Sequence, residues 1–91
     1  MLIIMINIYE LKKKIIYRSN YRGTKEMDKL LGAFAKKYIN LLSDDDLVKL
    51  EKLLDIDDSN LYNFLNGLET DVVIEKNNVT ELFKNFEYIE K

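Results

Sequence analysis

The chain has 91 residues, of which 47% are hydrophobic and 33% are charged, and its formal net charge is −2. This length and balance suit one compact domain, residues 1–91, and exclude a disordered tail. The chain contains no cysteine and no histidine, which excludes disulfides, thiolate metal sites and catalysis by either side chain, so we expect no enzyme.

Helical periodicity predicts five helices, and the first two contain most of the basic residues. Helix one is predicted from about Ile6 to Asn20. Helix two is predicted to begin after Gly23 and to run to about Leu42, with apolar residues at the spacing of a buried stripe. The stripe consists of Met27, Leu30, Leu31, Phe34, Ala35, Tyr38 and Leu42.

Two shorter helices are predicted next. Ser43 is a suitable N-cap for helix three, and the three aspartates that follow it suit the positive end of the helix dipole. Helix four is predicted to start near Asp58 or Ser59 and to end at Gly67, a glycine typical of helix C-termini. The apolar face of helix three is formed by Leu47, Leu50, Leu53 and Leu54.

The last helix is predicted to begin at Asn77 or Asn78. The segment 69–76 before it is ambiguous, because "DVVIE" suits either a short extended piece or an early turn of helix five. The apolar stripe of helix five is Val79, Leu82, Phe83, Phe86 and Ile89. The fold class expected from these elements is an all-α bundle of five helices with short connections.

Charge is distributed unevenly along the chain. Residues 1–42 carry a net charge of +6, and residues 43–91 carry −8. A dipolar surface of this kind orients a molecule on a patterned protein partner, whereas the acidic half opposes binding to nucleic acid. The apolar residues 1–6 are far fewer than the ~20 that span a bilayer, so no membrane insertion is expected. Because no leader or transit peptide is recognisable, we expect a bacterial cytoplasmic location.

One stretch resembles a calcium-binding loop but lacks residues that such a loop requires. "DIDDSN" has the oxygens of a calcium loop, but Asn60 stands where glycine is required and Asn66 where glutamate is required. Asp57 and Asp58 are therefore predicted to cap helix four, and no metal site is expected.

The lysines at 12–14 and the tyrosines at 9, 17 and 21 allow two interpretations. They form either a solvated helix face or a stacking, basic stripe that binds nucleic acid. The second interpretation is our alternative function, a nucleic-acid-binding helical module.

The stretch "YRGTKEMD" contains one of two arginines in a chain with 12 lysines. Arg18 and Arg22 lie four residues apart, and each offers a planar fork of donors that lysine lacks. Gly23 and Glu26 suit the boundary between two helices, Gly23 as the C′ residue of helix one and Glu26 as an acidic residue in the first turn of helix two. Gly23 would equally let the backbone of a partner or a flat cofactor come close to the turn, with Arg22 and Glu26 on either side.

The stretch "YRSNYRGTKEMDKLLGAFAKKY" resembles the signature of the SdhE family of succinate dehydrogenase assembly factors, also called the YgfY or flavinator family. The hallmark of this family is R-G-x-x-E. The downstream stretch "LSDDDLVKLEKLLDIDDSNLYNFLNG" is similar to the family's second block. Together the two blocks cover about residues 9–67, whereas residues 68–91 are unlike the family.

The resemblance implies a five-helix, non-enzymatic partner of the flavoprotein subunit of succinate dehydrogenase and, in some bacteria, of fumarate reductase. Such a partner promotes covalent attachment of FAD to a histidine of its client. The client carries the FAD, so we expect this chain to bind no cofactor stably by itself. By position, the resemblance implies a partner-binding site with no catalytic residue, composed of Arg22, Gly23, Glu26, Arg18, Asp28 and Tyr17.

Overall fold

Residues 7–87 are described by the computed structural model, and they form five α-helices and no strand. The helices are α1 (Ile8–Asn20), α2 (Lys25–Tyr38), α3 (Asp44–Leu53), α4 (Asp58–Leu65) and α5 (Asn78–Lys84). The all-α prediction is therefore confirmed. Ile6 and Ile89, which the sequence assigned to the first and last helices, lie outside the described residues. Within the described range, no helix is both long and apolar enough to cross a bilayer.

Each helix begins at a polar side chain that accepts a backbone N–H from its first turn. The five N-caps are Asn7, Thr24, Ser43, Asp57 and Asn77. Such caps each stabilise a helix by about 1 kcal/mol relative to alanine. The predicted cap of α3 is confirmed, and of the two candidates for α5 the structure selects the first.

The helices pack around one apolar core. α1 lies against α2 and α3, and α5 lies against α3 and α4. Phe34 is fully buried, and its ring contacts those of Phe83 and Phe86 edge to face at centroid distances of 5.2 and 5.3 Å. All five helices contribute to the buried apolar residues, which are Leu11, Ile15, Met27, Leu31, Phe34, Ala35, Ile39, Leu47, Leu50, Leu53, Leu54, Leu61, Val79 and Phe83.

α2 is shorter than its apolar stripe predicts. The helix ends at Tyr38, and the next residues tighten into a turn in which the N–H groups of Leu41 and Leu42 both donate to the Tyr38 carbonyl. Leu42 still packs against the core from this turn. The apolar stripe of α2 therefore extends beyond the last helical residue, so the stripe alone overestimated the length of the helix.

The segment between α4 and α5 is irregular. Gly67 has φ +69° and ends α4 in a Schellman arrangement, in which the Leu68 N–H donates to the Asn63 carbonyl at 2.8 Å. The "DVVIE" stretch forms neither a strand nor an early turn of α5. A hydrogen bond to a residue of α4 holds this stretch instead. The Asp71 N–H donates to the side-chain oxygen of the buried Asn60 at 2.7 Å.

Candidate partner-binding site

The candidate site is the corner where α1 passes into α2. α1 ends at Asn20 with Tyr21 as its C-cap, so Gly23 stands one position beyond the predicted C′ place. Its φ is +126°, a region that side chains rarely adopt, and no atom of residues 7–87 lies within 4 Å of the position that a Cβ would take. The backbone at Gly23 is therefore both dependent on glycine and open to solvent.

Arg22 points into the protein. Its side chain is 9% exposed, and its guanidinium donates to the carbonyls of Leu54 and Ile56 and to Asp58 Oδ1, the last at 3.0 Å. The sequence predicted that this guanidinium serves a partner. The structure shows it already bonded within the chain, because the end of α3 places backbone carbonyls within its reach.

Arg18, one helical turn before Arg22 in the chain, also binds the end of α3. One of its nitrogens donates to Asp55 Oδ1 at 2.7 Å and to the Leu54 carbonyl at 3.1 Å. Leu54 is the C-cap of α3, so both guanidinium groups lie at the negative end of that helix dipole. The two arginines thus connect the α1–α2 corner to the α3–α4 corner.

Asp28 also acts inside the corner. Its carboxylate accepts the backbone N–H of Arg22, which joins the connecting turn to the first turn of α2. Asp28 is half-buried. This contact holds the turn in the shape that exposes Gly23.

Glu26 is different from these neighbours, because its carboxylate is exposed and makes no hydrogen bond or ion pair with any described residue. It lies in the first turn of α2 as predicted. It borders a groove of about 350 Å³ between α2 and α4, which also includes Met27, Ser59 and Tyr62. We call this the corner groove.

Tyr17 lies away from the corner groove. Its side chain is 66% exposed and packs on Tyr21 with ring centroids 4.7 Å apart. The structure therefore divides the six predicted residues into three sets. Gly23 and Glu26 face solvent at the corner, Arg18, Arg22 and Asp28 hold the corner in place, and Tyr17 belongs to another face of α1.

Sequence reasoning did not connect the arginines with their acceptors, Asp55 and Asp58. Both aspartates were assigned to a loop or to helix capping, whereas each binds a guanidinium. The sequence did contain one signal for these acceptors: the chain has only two arginines, and a guanidinium binds carboxylate or carbonyl oxygens. Tyr62 was also missed, and its position one turn after Asp58 on an exposed face gave no signal of its own.

Asp57 anchors the start of α4 beside this corner. The Asn60 side chain donates to Asp57 Oδ1 at 2.6 Å, and this hydrogen bond lowers the pKa of the Asp57 carboxyl below its ordinary value of 3.8. The Asn60 backbone N–H adds a second bond to the same carboxylate at 3.4 Å. The ionised form is therefore favoured in the folded chain.

Acid is expected to destabilise the protein partly through Asp57. Because its folded pKa lies below 3.8, the carboxylate stabilises the fold at higher pH, and this contribution is lost as the pH falls through the folded pKa. Asp57→Asn keeps a capping side chain but cannot titrate. We expect this variant to lose less free energy of unfolding than the wild type between about pH 5 and about pH 3, measured by urea titration. Equal losses in both proteins would contradict the assignment.

Comparison with known proteins identifies relatives of the chain. A family model described as "Flavinator of succinate dehydrogenase" matches residues 13–87. A protein of Meyerozyma guilliermondii named succinate dehydrogenase assembly factor 2, mitochondrial, is 43% identical over 51 residues, which are 56% of this chain and 38% of the relative. A Dictyostelium discoideum protein of the same name is 38% identical over 58 residues, covering 64% and 41%.

A bacterial relative is also found. The FAD assembly factor SdhE of Acetobacter pasteurianus is 30% identical over 61 residues, covering 67% of this chain and 56% of the relative. The matched part of each of these relatives is thus less than two thirds of its length. No solved structure matches the chain significantly.

The prediction of a bacterial cytoplasmic location is wrong. Fungal and Dictyostelium relatives that match the chain are named as mitochondrial. The prediction depended on the lack of a recognisable transit peptide, and that feature does not indicate the compartment of a chain whose relatives are much longer.

Proposed function

The chain belongs to the family of flavinators of succinate dehydrogenase, and from this premise we propose that it binds the flavoprotein subunit of that enzyme and promotes covalent attachment of FAD to a histidine of the subunit. The mitochondrial relatives support a mitochondrial location for this role. In this proposal the client holds the FAD, and the chain acts without a catalytic centre of its own. The comparisons do not favour the nucleic-acid alternative.

The exposed pair Gly23 and Glu26 is the observation that supports a docking site at the corner. Arg18, Arg22 and Asp28 are bonded within the chain, whereas the Glu26 carboxylate has no partner among residues 7–87. A free carboxylate beside a bare backbone suits a donor or a cation on a partner that approaches closely. We propose that Glu26 supplies this contact and that Gly23 permits the approach.

The arginines act indirectly in this proposal. Arg22 bonds Asp58 at the start of α4, and both arginines bond the end of α3, so the corner groove is formed before the client binds. A preformed surface loses less conformational freedom on binding than a flexible one. Docking then favours the client arrangement in which flavin and histidine lie close together, which is a shift of population rather than chemistry by this chain.

Co-expression with a succinate dehydrogenase flavoprotein subunit tests the proposal. We expect flavin fluorescence that remains on the denatured subunit, because a covalent bond survives denaturation, and we expect much less of it when this chain is omitted. A client variant with alanine at the acceptor histidine is the control and should show none. Equal covalent flavin with and without this chain would overturn the proposed function.

A further inference from the structure

The face of α1 opposite the core carries three tyrosines that the fold leaves exposed. Tyr9, Tyr17 and Tyr21 are 68%, 66% and 71% exposed. Tyr9, Lys13 and Tyr17 follow one another at four-residue spacing on α1, and the C-cap Tyr21, whose ring packs on Tyr17, continues the row. Clustered exposed aromatics are typical of surfaces that bind other proteins, because each leaves a large apolar area in contact with water.

These side chains border an open groove of about 910 Å³ between α1 and the end of α2. We call it the tyrosine groove, and its lining includes Tyr9, Lys12, Lys13, Ile16, Tyr17 and Tyr21. None of its lining residues in the described part of the chain also lines the corner groove. The two grooves are therefore separate surfaces of the molecule.

The charge of the tyrosine groove is positive. Among the described residues no carboxylate lines it, and Lys12 and Lys13 are its two charged lining residues. Lys13 Nζ lies 5.1 Å from the Tyr9 ring centroid, and Lys12 Nζ contacts the neutral side chain of Asn40 at 3.1 Å. Glu10 approaches Lys13 at 3.6 Å, but both side chains are about 60% exposed, so this pair is weak. A groove with aromatic and apolar lining residues and two lysines is complementary to a partner helix that has carboxylates on both sides of its apolar stripe.

Nucleic acid and a second copy of the chain fit this groove less well. Tyr17 and Tyr21 pack on each other, which leaves fewer ring faces for bases. Two lysines supply few phosphate contacts on a chain with a net charge of −2. A two-fold dimer through the groove would place the lysines of one copy against those of the other.

We propose that the tyrosine groove docks an amphipathic helical segment of a protein partner, with carboxylates on both sides of its apolar stripe. Tyr17 and Tyr21 pack against the stripe, and Lys12 and Lys13 pair with the carboxylates. This proposal does not depend on flavinylation, since it concerns a surface separate from the corner groove.

Fluorescence anisotropy with synthetic peptides tests the proposal. The probe is a labelled helical peptide of about four turns, with leucines at three- and four-residue spacing and glutamates on both flanks. The comparison probes carry lysines instead of the glutamates or are labelled oligothymidine. At physiological ionic strength we expect the acidic peptide to bind at least about tenfold more tightly than either comparison probe. Tyr17→Ser and Lys13→Glu should each weaken its binding by about tenfold.

Matched variants outside the tyrosine groove are the controls. Tyr62→Ser removes an exposed tyrosine of α4, and Lys36→Glu reverses an exposed charge of α2, so neither should change binding. The proposal is overturned if the acidic peptide has no advantage, if the controls weaken it equally, or if oligothymidine binds more tightly. Self-association in sedimentation that Tyr17→Ser abolishes would also overturn it, because the occupant would then be a second copy.

Discussion

Replacing Arg22 by alanine is expected to lower the free energy of unfolding by about 3 kcal/mol, because it removes one partner of a buried ion pair. The Arg22 side chain is 9% exposed and that of Asp58 is 19% exposed, so solvent replaces the lost contacts poorly. The carbonyls of Leu54 and Ile56 lose a donor in the same step. Arg22→Lys should cost about 2 kcal/mol, since an ammonium cannot reproduce the planar fork.

Urea unfolding followed by circular dichroism measures this effect, and Arg18 is the matched comparison. Arg18 shares the Leu54 acceptor, but its side chain is 28% exposed and its partner Asp55 is 67% exposed. We therefore expect Arg18→Ala to cost about 1 kcal/mol. If Arg22→Ala were no more destabilising than Arg18→Ala, the internal role of Arg22 would be wrong.

The stability of the Arg22 variants also decides how their activity is interpreted. A domain of this size is stabilised by about 5–10 kcal/mol, so a loss of about 3 kcal/mol affects the folded population inside cells. Reduced flavinylation by Arg22→Ala would therefore not demonstrate a contact with the client. Addition of purified, folded variant to purified client separates the two effects.

Most of the fold was predictable because its signals are local. The cap of α3 at Ser43 and the glycine that ends α4 depend on residues within one helical turn of each boundary. The segment 69–76 was not predictable, because it is held by the bond from Asp71 to Asn60, which are 11 residues apart. Apolar Val73, which suggested regular structure, is 98% exposed.

The residues of the proposed site were suggested by composition and by the family resemblance, whereas the directions of their side chains could not be predicted. Composition made Arg18 and Arg22 conspicuous, and the preference of guanidinium for carboxylates agrees with the bonds to Asp55 and Asp58. Their acceptors lie 32–37 residues away in sequence, so only the packing of α1 against α3 shows that these groups point inward. Glu26, in the first turn of α2, is exposed, so its side chain faces solvent.

Replacing Gly23 by leucine is expected to reduce covalent flavinylation of the client by more than about tenfold, because a side chain there would occupy space that the client backbone approaches. The fold should persist. No described residue has an atom within 4 Å of the Cβ position, so the cost in folding free energy is backbone strain at φ +126°, about 1–3 kcal/mol. Co-expression with the flavoprotein subunit, scored by fluorescence of the covalent flavin, measures the loss.

Gly67→Leu is the matched control for this substitution. Gly67 also has a positive φ, +69°, and no described atom near its Cβ position, but it lies at the end of α4 and not in the turn between α1 and α2. Its replacement should cost about 1–2 kcal/mol and leave flavinylation nearly unchanged. Equal loss of flavinylation in both variants would assign the effect to strain. Unfolding of Gly23→Leu alone would make this glycine a structural requirement of the turn and would remove the main support for docking at the corner.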